Sequence, residues 1–421
     1  LEVVFLIKIG RERNFSMKVF KKLVPTVLSL FIISSPYSVA QAETGSFEDN
    51  KGKNTNFSVL TEVQNNRSSK SLLRSSYDLD DVISYPKDYT NVSRSLEFED
   101  NTKWPLFVSN SPEMFNRQGI LAYSTEVNRT GKFRIYWAHQ NYNDSENYVG
   151  FYIKNTSGKK INVNFKKRAH VESRDGAKLG QEVLQKYLES SHKTYKYATL
   201  SKNQSTYVGF PVAKRYYGSG MYDITITDEN DDYVTGGIEL KTYATYDGKG
   251  DPSRVIKENT VLKDDGHQIR GLFPTAIKSF KWRAYAGEQI SFSPSYTHVK
   301  NNNLNSPWKI PDNDISKGID EASNNKTVYN YGNYGMTYEI GIKPREDVQI
   351  VFAPNLSEDQ RTTRKEHYLA LDADDRGVLI NTVREDDGWV VLNAKSDKSY
   401  YLTTSLPGYH WAPLRIAAIP K

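Results

Sequence analysis

The sequence predicts a mainly β protein: two sandwich-like (jelly-roll-like) antiparallel domains with one short amphipathic helix. Three observations predict it. Short segments rich in Tyr, Val, Ile and Phe recur between turn residues from about Tyr77 onward. One of them, Lys160–Phe165, alternates Ile161, Val163 and Phe165 with Lys160, Asn162 and Asn164, a period of two that gives one core face and one wet face. A single stretch, Gly176–Glu189, instead spaces Leu179, Val183, Leu184, Tyr187 and Leu188 by three and four residues, as an amphipathic helix does.

The N-terminal part carries a different pattern. Lys18, Lys21 and Lys22 precede the apolar run Leu23–Ile33, and Ala40-Gln41-Ala42 supplies a small-x-small cleavage site. That is the layout of a secretory signal peptide over 17–42, with cleavage after Ala42. The apolar run is too short for a spanning helix, which needs ~20 residues. If Met17 is the initiator, Leu1–Ser16 is a non-native upstream extension. Glu43–Ser76 is rich in Asn, Ser, Lys and Glu and too poor in apolar residues to repay ordering, so a flexible lead-in is expected over 43–76.

Strands are then expected at Lys132–Ala138, Tyr148–Ile153, Lys160–Phe165, Met221–Thr227 and Gly237–Tyr243. Asn155–Gly158 between two of them has the composition of a hairpin loop, with Gly158 in the strained backbone position. Asp175 is placed to cap the helix, which is expected to lie across a sheet edge or barrel mouth. Later strands are expected at Ser279–Tyr285, Thr337–Ile342, Val348–Phe352, Gly377–Thr382, Trp389–Asn393 and Arg415–Ile419, with a long polar loop over Lys300–Asn325. The Gly, Asp and Pro of Tyr246–Ser253 mark a boundary between a β domain at 77–250 and a second at 251–421. A single composite β body fits the same sequence.

Composition narrows function. Six of the 56 basic and two of the 50 acidic residues lie in Leu1–Ala42, leaving 50 and 48, so the formal charge falls from +6 to +2 on cleavage. No general attraction to nucleic acid follows. The chain has no cysteine, which removes thiol nucleophiles, iron–sulfur clusters and cysteine zinc sites. It also fits export from a Gram-positive cell, because a body this large can bury a core without disulfides. Leu414–Lys421 shows no sorting motif followed by an anchor, so release or non-covalent wall association is expected.

Several phrases recur in order: Arg134–Gln140 (RIYWAHQ), Gly150–Lys159 (GFYIKNTSGK), Gly220–Ile224 (GMYDI), Asp265–Phe273 (DGHQIRGLF) and Asn330–Tyr338 (NYGNYGMTY). Over roughly 120–360 they resemble a group of secreted, Gram-positive, envelope-associated β-rich proteins sometimes attached to copper-amine-oxidase-like stalk domains. The resemblance implies an envelope location and brings no oxidase activity and no catalytic residues with it.

The chemical candidates are few. Asp264-Asp265-Gly266-His267 with Arg270 sets carboxylates, an imidazole and a guanidinium in one loop; Asp265 can orient His267, and Arg270 can hold an anionic ligand group. The plain alternative is a tight turn whose side chains tie it to neighbouring backbone. Tyr331 and Tyr334 in Tyr329–Tyr338, and Trp137 with His139 on one strand face, offer aromatic surfaces for sugars or peptides; packing is the alternative for both. Asp228, Asn230 and Asp232 hold positions 1, 3 and 5 of a calcium-loop spacing, but Tyr233 occupies the position that needs Gly. Asp372 and Asp374 begin similarly and end on Val383. Irregular calcium loops and solvated acidic turns both remain open there.

No HExxH, GxSxG, P-loop or dinucleotide fingerprint occurs. The expected function is therefore a secreted binding or structural protein of the cell envelope. Its partners would be wall or other polysaccharide or a surface protein, with no nucleic acid, no membrane after cleavage, and no cofactor except calcium. The rivals are a secreted carbohydrate-active hydrolase, which needs two carboxylates in a groove, and a virulence or insecticidal accessory protein.

Overall fold

The computed structural model describes residues 77–191, 193–266, 268–293, 314–355, 366–374, 376–410 and 413–421, with the Arg94 side chain left aside. The upstream extension, signal peptide and lead-in expected over 1–76, and the candidate His267, lie outside the described residues. The described residues fall within one unit, Ser71–Lys421.

The fold is mainly β, built from four sheets paired into two sandwiches with short helices, α1 (Gly176–Glu189) and α2 (Ser253–Glu258). In the first sandwich a four-stranded antiparallel sheet runs Ser205–Val212, Asn147–Asn155, Ile238–Thr245, Gly119–Ser124. Its partner has nine strands, in the order Tyr195–Leu200, Ile161–Ser173, Tyr217–Thr227, Lys132–Asn141, Leu106–Ser109, Arg270–Phe273, Ser316–Asp320, Lys326–Asn330, with Met114–Phe115 beside Lys132–Asn141. Phe107, Phe133, Ile135, Phe151, Ile224 and Leu240 fill the space between them. Each such buried side chain contributes about 1.5–3 kcal/mol.

The second sandwich pairs two six-stranded sheets. One runs Val82–Ser84, Asp387–Ala394, Val348–Pro354, Leu414–Pro420, Glu288–Phe292, Thr90–Asn91. The other, which faces α1, runs Gly377–Arg384, Glu366–Ala373, Tyr400–Thr404, Thr337–Ile342, Ile277–Trp282, Glu99–Asp100. Trp282, Phe292, Tyr338, Phe352, Leu371 and Trp389 lie in the core between them. Four pairings are parallel, among them Leu106–Ser109 with Lys132–Asn141 and Ile277–Trp282 with Thr337–Ile342, so the sheets are not purely antiparallel. Each sandwich takes strands from both sides of Tyr246–Ser253. Arg270–Phe273, Ser316–Asp320 and Lys326–Asn330 extend the nine-stranded sheet, while Val82–Ser84, Thr90–Asn91 and Glu99–Asp100 join the second sandwich.

Helix α1 has the expected bounds, and the Asp175 carboxylate accepts from the backbone N–H groups of Ala177 and Lys178. Its position differs from expectation. Rather than crossing a sheet edge, it is wedged between the sandwiches, with Leu179, Val183, Leu184, Tyr187 and Leu188 packed among Ala169, Met221 and Ala370. Gly180 makes this approach possible, since a Cβ there would stand 2.0 Å from the Gly408 carbonyl oxygen.

Three further expectations are corrected. Asn155–Gly158 is not a hairpin: it carries the chain from the four-stranded to the nine-stranded sheet. Gly158 is absent from the residues of positive φ, and the turn is organised by Asn155 Oδ1, which accepts from Ser157 N at 2.9 Å. Asn162 and Asn164 do not form a wet face. They are buried, Asn162 donating to the Asp228 carbonyl and Asn164 to Thr227 Oγ1, and the strand is interior to its sheet. The long loop expected over Lys300–Asn325 ends in the strand Ser316–Asp320. Its inward positions are Ser316, Gly318 and Asp320, so it lacks an apolar alternation. Gly318 lies against the Phe273 ring and Asp320 pairs with Arg270.

Candidate functional site

Strand register lines up polar side chains on the helix-facing sheet of the second sandwich. Glu99 pairs with Ser279, Ser279 with Glu339, Glu339 with Thr403, and Thr403 with Asp372. Register partners share a sheet face, so five polar side chains from five adjacent strands form one row. Their strand neighbours Phe280, Ile340, Leu402 and Leu371 point the other way, into the core. Alternation thus places the carboxylates outside.

Most of this row borders a groove of about 430 Å³, whose other walls come from Ser95, Leu96 and Glu97. The adjacent register row is Lys281, Gly341, Tyr401. Gly341 leaves a gap on the floor between a lysine and a tyrosine; a Cβ there would reach only ordinary contact with Lys281 and Tyr401, at 3.5 and 3.6 Å. Tyr401 is 57 % exposed. The groove therefore offers glutamate acceptors, serine hydroxyls, one ammonium and one open aromatic face. A concavity with a few convergent polar groups is a candidate binding site.

Behind the groove lies a buried network tying α1 to both sandwiches. Arg134 donates from Nε to Asp223 Oδ1 at 2.6 Å and from Nη1 to the carbonyls of Ala276 and Gly335 and to Thr337 Oγ1. Its Nη2 reaches Asp223 Oδ2 at 3.2 Å and the Tyr187 hydroxyl, and that hydroxyl donates to Asp223 at 2.6 Å. Burial opposes the Arg134 charge, but Asp223 and Tyr187 hold its pKa above the ordinary value. Lys167 lies over the Tyr187 ring. Burial lowers its pKa, with Asp223, Asp372 and Glu339 opposing that effect.

Most residues singled out in the sequence lie elsewhere. Arg270 is buried: it pairs with Asp320 at 3.0 Å and donates to the carbonyls of Leu121 and Leu262, so its guanidinium faces protein rather than solvent. Asp265 accepts from Ser111 Oγ and from the Glu113 and Gln268 backbone N–H groups, which ties its loop to the strand region at Ser109–Glu113. Trp137 and His139 do share a strand face, and that face is interior. Trp137 stacks on Phe210.

His139 Nδ1 meets the Pro112 carbonyl at 2.7 Å and Nε2 meets Ser109 Oγ at 3.0 Å. Burial pushes its pKa down to about 4. The neutral ring thus donates from Nδ1 and accepts at Nε2, with no exposed surface through which a substrate would reach Ser109.

Tyr331 and Tyr334 are half-buried. Tyr331 stacks with Tyr329, and the Tyr334 hydroxyl donates to the His410 carbonyl. Asp228 Oδ1 accepts from the backbone of Asn230 and Asp232, the pattern of a self-contained acidic turn. Asp372 belongs to the carboxylate row, while Asp374 lies exposed in the turn that follows. Among the described residues no group of three or more His, Cys, Asp or Glu side chains comes together as a metal site. No described helix is long and apolar enough to cross a membrane.

The groove residues are not apparent in the sequence because Glu99, Ser279 and Glu339 meet only through pairing of distant strands. The one available signal was alternation within Thr337–Ile342, which sets Glu339 opposite Tyr338 and Ile340.

No family model matches the chain, and no curated protein does. The solved structure of the Macrobrachium rosenbergii nodavirus aligns over 89% of this chain and 97% of that chain, at 10% identity and a TM-score of 0.13. Similarity that low carries no inference about fold or function.

Proposed function

We propose that the protein is a secreted, envelope-associated binding protein of the Gram-positive type that holds a cell-wall glycan in the groove beneath Tyr401. The observation that carries the reading is the row Glu99, Ser279, Glu339 beside an exposed Tyr401 and the gap at Gly341. Carboxylates accept strong hydrogen bonds from sugar hydroxyls. A tyrosine ring covers the apolar face of a sugar at small entropic cost.

The test is sedimentation with purified peptidoglycan, with and without calcium, for the wild type and for Gly341→Leu. Retention by the wild type, lost when leucine fills the floor, supports the reading. Absence of retention overturns it.

A second reading, a glycoside hydrolase, is favoured by one observation. Glu99 and Glu339 flank the Ile277–Trp282 strand, so their backbones stand two strand spacings, about 9.5 Å, apart. Glycoside hydrolysis requires a pair of carboxylates flanking the bound sugar, and these two border one groove. Release of reducing ends from wall glycan, abolished in Glu339→Gln, distinguishes hydrolysis from binding.

A further inference from the structure

Positive charge is concentrated in one stretch of the chain. Residues 154–202 hold twelve basic and four acidic side chains, a formal +8 against +6 for the whole sequence. No Asp or Glu occurs between Asn147 and Glu172, or between Glu189 and Asp223. Little of the charge is cancelled locally: among the described residues the one ion pair in this stretch is Lys178 with Glu182, at 3.7 Å.

The fold gathers part of this charge at one corner. The edge strand Tyr195–Leu200 pairs with Ile161–Ser173 only as far as Phe165. Beyond it the end of α1 closes on the free edge, where Ser190 Oγ accepts from Arg168 N at 3.4 Å. The Arg168 guanidinium lies over the Tyr195 ring, 5.2 Å from its centroid, which brings it beside Lys193 and Lys196, the neighbours of Tyr195 in the chain. Lys186, in the last turn of α1, belongs to the same corner. After burial, it and Arg168 push the His170 pKa down to about 4, so both charges reach one imidazole. Arg168, Lys186, Lys193 and Lys196 are all exposed. The nearby carboxylate on α1, Glu189, accepts from Gln185. The far end of the strand pair differs. There Asn162 bonds the acidic turn that begins at Asp228, so that end carries acidic as well as basic side chains.

Two features decide what the corner fits. Exposed cations without ion-pair partners attract a polyanion. Single-stranded nucleic acid stacks successive bases on open aromatic faces, but Arg168 covers one face of Tyr195 and Tyr197 stacks on Phe165. The two tyrosines of the strand therefore form no open pair for bases. What the corner offers is a guanidinium fork and lysine point charges, which suit phosphate oxygens.

We propose that Arg168, Lys186, Lys193 and Lys196 bind a linear phosphodiester polymer without bases, of the poly(glycerol phosphate) kind. The choice of a wall polymer rests on the envelope location proposed above; the corner itself is separate from the groove.

The test is fluorescence anisotropy of labelled poly(glycerol phosphate) with the full chain, with labelled single-stranded DNA in parallel. The wild type should bind the phosphate polymer, and raising salt from about 50 to about 200 mM should weaken binding at least about tenfold. Arg168→Gln with Lys196→Gln should weaken it by a similar factor, and so should Lys186→Gln with Lys193→Gln, a pair of exposed side chains whose loss leaves the Arg168–Tyr195 contact intact. Lys159→Gln with Lys160→Gln, at the far end, should bind as the wild type does. All three variants should still sediment with peptidoglycan, so a failure of the groove reading shows separately. No binding by the wild type at low salt, an equal loss in the Lys159 and Lys160 variant, or tighter binding of DNA than of poly(glycerol phosphate) each overturns the proposal.

Discussion

Arg134 and Asp223 form a two-pronged pair, Nε to Oδ1 at 2.6 Å and Nη2 to Oδ2 at 3.2 Å, with both side chains buried. The Tyr187 hydroxyl of α1 completes the set by donating to Asp223. Removing one partner strands the other charge in a buried site. Asp223→Asn should cost about 3–5 kcal/mol, and Tyr187→Phe about 1–2 kcal/mol. Urea denaturation followed by tryptophan fluorescence measures both, and equal losses would contradict the separation of charge from hydrogen bond.

Gly180 and Gly408 are in close backbone contact where α1 enters the space between the sandwiches. A Cβ at Gly180 would meet backbone rather than a side chain that can swing away. Gly180→Ala should therefore destabilise by about 1–3 kcal/mol, although alanine is the better helix former. An unchanged or raised midpoint would mean that the helix sits more loosely than its packing indicates.

The buried His139 imposes a pH dependence. Its pKa is about 4 in the folded chain against an ordinary 6.5, so between these values the unfolded chain binds a proton that the folded chain refuses. The stability contribution is fully present above pH 6.5 and is lost as pH falls toward 4. Asp314, raised to about 6 by burial, acts in the opposite sense: its penalty appears as pH rises from about 4 to 6. The wild-type slope mixes these with that of His170, whose pKa burial also lowers to about 4, so the comparison is with His139→Gln. Between pH 7 and 4.5 the wild type should lose about 2 kcal/mol relative to that variant. Parallel curves would refute the assignment.

In the groove, a Cβ at Gly341 makes only ordinary contacts. Gly341→Ala should keep wall-glycan binding, and Gly341→Leu should reduce it at least tenfold without changing the unfolding midpoint. Tyr401→Ala removes the exposed ring and should weaken binding about fivefold to tenfold, near 1 kcal/mol. Titration calorimetry with soluble wall fragments checks both; equal affinity in Gly341→Leu would exclude the groove.

Much of the fold was legible in local pattern. Alternation of Ile161, Val163 and Phe165 identified a strand, and the spacing of Leu179, Val183 and Tyr187 with Asp175 ahead of them identified α1 and its cap. These signals are local because side-chain direction repeats every two residues in a strand and every 3.6 in a helix. Residue type did not reveal burial. Arg270 and His139 look functional in sequence, yet their polar atoms are engaged inside the protein by Asp320, Ser109 and the carbonyls of Leu121, Leu262 and Pro112.

By itself the sequence determined that this is a β protein with one amphipathic helix, and which residues of many strands are apolar on one side. The tertiary structure alone decided that Glu99, Ser279, Glu339 and Thr403 form one row and that Arg168 lies over the Tyr195 ring. It also decided that α1 lies between two sandwiches. The physical reason is that alternation is written in neighbouring residues, whereas register and layer order are set by hydrogen bonds and packing between strands far apart in the chain.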